Sequence, residues 1–399
     1  MLLQNVALAV AGLCGLSAAA SDGPQAVEKI EFTNVGFAGT YTPVVSIKNA
    51  DSDDCSCSVG SKQWFYGSNA PISDAVSVHF RGPLKLNQFA FYNSSSFNLD
   101  NADNSSDWSR VAYFDASSQT AENAVFLTKA GKDSPVLGKA LSFADSDGVS
   151  SSSSSQLLAE DTLITSDQEY VIYSNASCPK SGKKNSCGVY RSGIPAYHGY
   201  GGATKMFLFD FEMPTETQSN SSSFDYFDMP AIWLLNDQIS RTSQYPTDAN
   251  CSCWASGCGE FDIFEVMNGT EKNHLYSTFH TFQGIEDLGT GIQADGYINR
   301  DTSGSMKGGV IFDSNGNTVV FVSNSTSFDQ TITPDSLNNI ISRISDDESL
   351  STKLATISAS ASSTTSKASD ANSLFEKGTG ALWFYAFTFV TSIAHTVLF

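Results

Sequence analysis

The chain has 399 residues, with 42 acidic against 22 basic side chains and a formal charge of −20, yet only 16% of its residues are charged. Charge of this sign argues against nucleic acid and anionic membrane as partners, because phosphate binding needs a cationic surface. An aromatic content of 12% is ample for a large core and excludes a disordered chain, while neutral ligands such as sugars stay open.

In chain order, an apolar stretch from Val6 to Ala20 closes in the small residues Leu16-Ser-Ala-Ala-Ala20, the pattern of a secretory signal removed at about residue 20. Secretion predicts disulfides and glycans. Cys14 leaves with the signal, so Cys55, Cys57, Cys178, Cys187, Cys251, Cys253 and Cys258 remain. Their number is odd, so at least one thiol is free or linked to another molecule. An oxidising compartment favours disulfides over a zinc site, and no metal or cofactor is expected. Sequons stand at Asn93, Asn104, Asn175, Asn220, Asn250, Asn268 and Asn324, with Cys251 as the middle residue of the Asn250 sequon.

Strand patterns dominate. Ala75 to Phe80, Gln88 to Tyr92, Met206 to Phe211 and Thr318 to Val322 are rich in aromatic and β-branched residues, several in period-two alternation. No long amphipathic helical repeat accompanies them, so the fold class is all-β, a sandwich or barrel. Asp145 to Ser155 ends in six consecutive serines and reads as a flexible linker or glycosylated loop.

The chemistry concentrates between Asp225 and Phe282. In Gly259-Glu-Phe-Asp-Ile-Phe-Glu-Val266, Glu260 and Asp262 share one face of a strand and Phe261 and Ile263 the other. Glu265 is out of phase by one residue, and a β-bulge near Ile263 or Phe264 would return it to the acidic face. Two glutamates across one cleft suit a retaining glycosidase, with carboxyl groups about 5 Å apart. Like charges that close cannot both ionise easily, so one keeps its proton and serves as the acid. Upstream lie Tyr226, Trp233 and Trp254, whose faces can stack on pyranose rings.

After the motif, Ser358 to Ser369 is rich in Ser, Thr and Ala, and Ala381 to Phe399 is nearly continuous in apolar and hydroxyl residues with no basic residue beyond it. Small residues and a short polar spacer before that tail make a GPI-attachment signal, with Ser369, Asp370 and Asn372 as candidate attachment sites. The expected organisation is a signal over 1–20, a folded domain over 21–345, a stalk over 346–369, and a removed tail over 370–399.

The stretch Gly259 to Glu265 resembles the signature of glycoside hydrolase family 16, in its laminarinase branch with the bulged acid spacing. Met229 to Trp233 and His198 to Pro214 resemble that family's neighbouring strands. The resemblance implies a concanavalin-like β-sandwich (jelly roll), with Glu260 as nucleophile, Asp262 as assisting acid, Glu265 as general acid/base, and His280 as the histidine of the following strand. Tyr226, Trp233, Trp254 and His280 are the implied substrate contacts. About 240 residues precede Glu260 and only about 80 separate Glu265 from the stalk, whereas the family's motif lies mid-domain. Gly308 to Val322 resembles a strand pair that follows the motif, but the closing strands are found at the front of the chain. This is similar to the fungal cell-wall proteins described as circularly permuted β-1,3-glucanases. Cys258 departs from the small or aromatic residue often found there.

The expectation is a secreted, GPI-anchored wall enzyme acting on β-1,3-glucan by hydrolysis or transglycosylation, touching membrane through its lipid alone. Its other expected partner is a disulfide partner through the unpaired cysteine. The competing expectation is a non-catalytic glucan-binding or structural mannoprotein. The two diverge on whether Glu260 and Glu265 face one groove.

Overall fold

The computed structural model describes residues 23–99 and 101–357. The expected signal, Cys14, the GPI tail and the candidate attachment residues Ser369, Asp370 and Asn372 lie outside them.

The described chain is an all-β sandwich of an 11-stranded and a 10-stranded sheet. Thirteen of the strands serve here: β1 (Lys29–Thr33), β2 (Val76–Arg81), β3 (Leu84–Asn93), β4 (Trp108–Asp115), β5 (Val125–Thr128), β6 (Glu169–Tyr173), β7 (Lys205–Glu212), β8 (Ala231–Asn236), β9 (Glu260–Glu265), β10 (His274–His280), β11 (Ser305–Phe312), β12 (Thr318–Val322) and β13 (Ser349–Lys353). One sheet runs β10-β9-β8-β2-β6-β5 and the other β4-β3-β7-β11-β12-β1-β13. Two short helices, α1 (Asp237–Thr242) and α2 (Pro334–Ile341), complete the regular structure used here.

Strand β7 shows how the sequence chooses its faces. Phe207, Phe209 and Phe211 enter the core between the sheets, while Met206 and Leu208 enter a second cluster behind it. That outer cluster is covered by Leu337 and Ile341 of α2, whose start is set by Pro334 and by the Thr333 side chain accepting from Ser336 N. Both faces of the strand are therefore apolar, which explains the near-continuous hydrophobic run. Burial of each such phenylalanine stabilises the fold by roughly 1.5–3 kcal/mol.

The front of the chain supplies central strands. β2 pairs with β8 on one side and β6 on the other, and β3 pairs with β7 and β4. β13 pairs in parallel with β1. The folded part therefore reaches past residue 345, and the stalk expected from 346 starts too early. Ser349 to Lys353 looks like stalk in composition, but its backbone completes a sheet edge and Leu350 packs on the core. The serine-rich run likewise ends in order. Ser151 and Ser152 pair with Ala144 and Phe143, and Asp147 accepts from the backbone of Val149 and Ser150 to close the turn.

Three disulfides join Cys57 to Cys251, Cys178 to Cys187 and Cys253 to Cys258. Cys55 is left free and buried, which raises its pKa and keeps the thiol from the surface.

Candidate active site

Gly259 leads into β9 with φ of +108°, and a Cβ there would stand 3.0 Å from Pro71 and Ile72. Only glycine takes that turn without strain. Along β9, Glu260 lies opposite Leu235 and His280, Asp262 opposite Trp233 and Thr278, and Glu265 opposite Ala231 and Tyr276. The register slips past Asp262 against both neighbours, leaving Ile263 as the extra residue of a bulge. Phe261, Ile263 and Phe264 all enter the core. Glu260, Asp262 and Glu265 thereby share the opposite face.

Each acid has its own partners. Gln244 donates to Oε1 of Glu260 at 2.9 Å, and the indole N–H of Trp254 donates to its Oε2. Asp262 accepts from Nε2 of His280 at 2.8 Å. Nδ1 of the same ring meets the carbonyl of Leu288, an acceptor only, so both ring nitrogens carry protons. Burial pulls the His280 pKa down, but the Asp262 charge and hydrogen bond outweigh it and lift the value to about 10. Glu265 accepts from Nη2 of Arg81 at 3.1 Å, while Nε of that arginine donates to the carbonyl of Met229 at 2.7 Å. Tyr226 stacks over the guanidinium at 4.6 Å.

Burial, then the charge of Asp262, raises Glu260 to about 8 and Glu265 to about 7, against the opposing pull of His280 and Arg81. A charge count gives the reason. Three carboxylates face one imidazolium and one guanidinium, so a single added proton makes the buried cluster neutral. Such a site holds one protonated and one ionised glutamate, the pairing that acid-assisted displacement at a sugar carbon requires.

The candidate substrate contacts gather around these acids. Trp233 is buried on the same face, its ring 5.0 Å from that of His79 and its Nε1 without a partner. Trp254 is half-buried beside Glu260, and Tyr226 is exposed at the Glu265 end. Arg81, Gln244 and Tyr245 were not expected. Tyr245, exposed, sets its ring edge-on to Trp254 at 6.0 Å and accepts from Gln244. An arginine closing the apolar run of β2 was the one available sign of Arg81; Gln244 and Tyr245 carried none beyond closeness to Trp254. Of the sequon asparagines, Asn93 is half-buried at the end of β3 and the other six are exposed.

Comparison with known proteins gives consistent matches. The models of the cell wall protein family YJL171C/Tos1 match residues 106–340 for its C-terminal part and 28–94 for its N-terminal part. The chain is 58% identical over 398 residues, 100% of both chains, to a Saccharomyces cerevisiae protein named probable circularly permuted 1,3-beta-glucanase YJL171C. It is 52% identical over 392 residues to the Candida albicans protein named probable circularly permuted 1,3-beta-glucanase PGA52, covering 98% of this chain and 97% of that one. Identity to the Saccharomyces cerevisiae protein of the same description named TOS1 is 43% over 244 residues, 59% of this chain and 50% of that protein. No solved structure matches.

Proposed function

Since the chain belongs to the YJL171C/Tos1 family of cell wall proteins, we propose that it is a wall glucanase that cleaves β-1,3-glucan with retention, in the manner of glycoside hydrolase family 16. The observation that carries this reading is the bulge at Ile263, which gathers Glu260, Asp262 and Glu265 on one face beside Trp233 and Trp254. Names of the relatives support the substrate class.

Without substrate the shared proton favours Glu260, at about 8 against about 7 for Glu265, so bound substrate must shift it to Glu265. In the first step Glu260, then ionised, attacks the anomeric carbon while Glu265 passes the proton to the departing glycosidic oxygen, leaving a glycosyl ester on Glu260. In the second, Glu265 takes a proton from water or from a sugar hydroxyl, that oxygen attacks the same carbon, and Glu260 departs. Water gives hydrolysis and a sugar hydroxyl gives transglycosylation. Gln244 and Trp254, both donors, hold the attacking carboxylate, and the His280 imidazolium donates to Asp262, which stands between the two glutamates on β9. Burying three carboxylates against two cations costs stability, and clusters kept at such a cost are characteristic of active sites, which favours this reading over a purely structural wall protein.

The proposal extends to the chain's organisation: a circularly permuted sandwich, exported by the signal over 1–20 and held at the outer membrane face by a GPI lipid. Glu260→Gln should abolish release of reducing ends from laminarin, and wild-type-like release by that variant would overturn the assignment. Sizing the products formed from a defined oligosaccharide separates the two outcomes, since products longer than the substrate mean transfer.

A further inference from the structure

Four aromatic side chains stand out as exposed among the described residues: Trp64, Tyr66, Tyr226 and Tyr245. Tyr226 and Tyr245 belong to the cleft already described. Trp64 and Tyr66 are the barest, at 78% and 83% exposed, and the mechanism uses neither. Large apolar rings left in water are costly, and a cluster of them marks a binding surface.

Their spacing follows from the strand. Gln63–Phe65 pairs antiparallel with Gly39–Tyr41, and Phe65 points inward, so its neighbours on either side point out together. The base beneath is rigid. Phe65 packs edge-on against Phe37 at 5.0 Å, Asn69 donates to the carbonyls of Ala203 and Asp313 at 2.7 Å each, and Thr42 N donates to Ser256 Oγ at 2.9 Å.

This pair of strands also adjoins the cleft. Phe65 lies in one apolar cluster with Trp233, Cys253 and Cys258, and Trp254 packs against that cluster, so the strand bearing the two rings forms a wall at the Glu260 end. The segment that carries the rings is nearly uncharged in a strongly acidic chain: residues 56–70 contain one charged side chain, Lys62, and no acid. Two exposed rings on a segment without acids suit stacking on an uncharged polysaccharide better than contact with a basic protein or a phosphate.

We propose that Trp64 and Tyr66 form an auxiliary platform that binds a neutral β-glucan chain outside the catalytic cleft and keeps the polymer on the enzyme. The proposal takes its ligand class from the glucanase reading above. Rings fixed on a rigid base lose little freedom on binding, which favours such a role.

The test uses insoluble curdlan and the full protein carrying Glu260→Gln, which holds polymer without consuming it. Adding Trp64→Ala and Tyr66→Ala should weaken binding to curdlan by about tenfold, with an unchanged thermal midpoint because both side chains are exposed. In the active background the same pair should lower turnover of curdlan while leaving turnover of a short laminari-oligosaccharide as it was. Unchanged curdlan binding overturns the platform. So does concentration-dependent self-association that the pair abolishes while glucan binding stays intact, which assigns the patch to a second copy. Absence of any oligosaccharide cleavage by the wild type would instead sink the catalytic reading, and curdlan binding would still decide the platform.

Discussion

The cluster on β9 is governed by its charge balance. Glu260 has only neutral donors, Asp262 has an imidazolium and Glu265 has a guanidinium, so the three acids sit in different surroundings. Arg81 opposes protonation of Glu265, and burial with Asp262 prevails, leaving that pKa at about 7. Arg81→Met should therefore raise it further. Activity needs Glu265 protonated and disappears as pH rises through its pKa, so the alkaline limb of kcat/KM should move up by roughly one pH unit. A pH profile of laminarin cleavage checks this, and a limb that stays put or moves down would show that Glu265 is not the acid. The residues of this cluster differ in how they could be foreseen. Glu260, Asp262, Glu265 and His280 lie close together in sequence and carry a readable pattern. Arg81 reaches Glu265 from a strand remote in the chain, and only tertiary pairing of β2 with β8 reveals it.

Strand β9 needs its bulge because a regular strand would turn Glu265 into the core. Deleting Ile263 offers a direct test. The shortened strand would alternate regularly, with Phe261 and Phe264 inward and all three acids outward, and Glu265 would keep Ala231 as its partner on β8. The variant should fold, at a cost of about 2–4 kcal/mol for the lost core side chain, and should retain the acids while shifting the glutamates relative to each other. Activity on laminarin should fall at least tenfold, and wild-type rates would mean that the bulge does not set the geometry. At this scale the sequence was informative for strands rich in aromatic and β-branched residues, such as β7 and β12, because such runs mark a strand buried on both faces. It was uninformative for β13 and for Ser151–Ser152. There the serines carry little β preference of their own, and pairing supplies the order, with the distant β1 for β13 and with Phe143 and Ala144 across a turn for Ser151–Ser152.

Across the whole molecule, covalent ties link distant segments to the cleft. Cys57–Cys251 fastens the hairpin of Val44–Lys48 and Ser56–Val59 to the loop that carries Gln244 and Trp254, with a sequence separation of 194 residues. Replacing both cysteines by serine, rather than one, prevents Cys55 from taking over the vacant partner. The double variant should lose about 2–5 kcal/mol of stability, seen as an earlier midpoint in urea, and an unmoved midpoint would show that noncovalent packing alone holds the loop. The odd cysteine count was legible beforehand, whereas which thiol stays unpaired was not, since pairing depends on folded distances. The placement of β2 has a further consequence, for the order in which the chain is made. β2 leaves the ribosome early, yet its neighbours β6 and β8 are synthesised much later, and β1 must wait for β13, the last strand among the described residues. The apolar edges of the earliest strands therefore stay open through most of translation, so folding completes late and the unfinished sheets are open to wrong pairing.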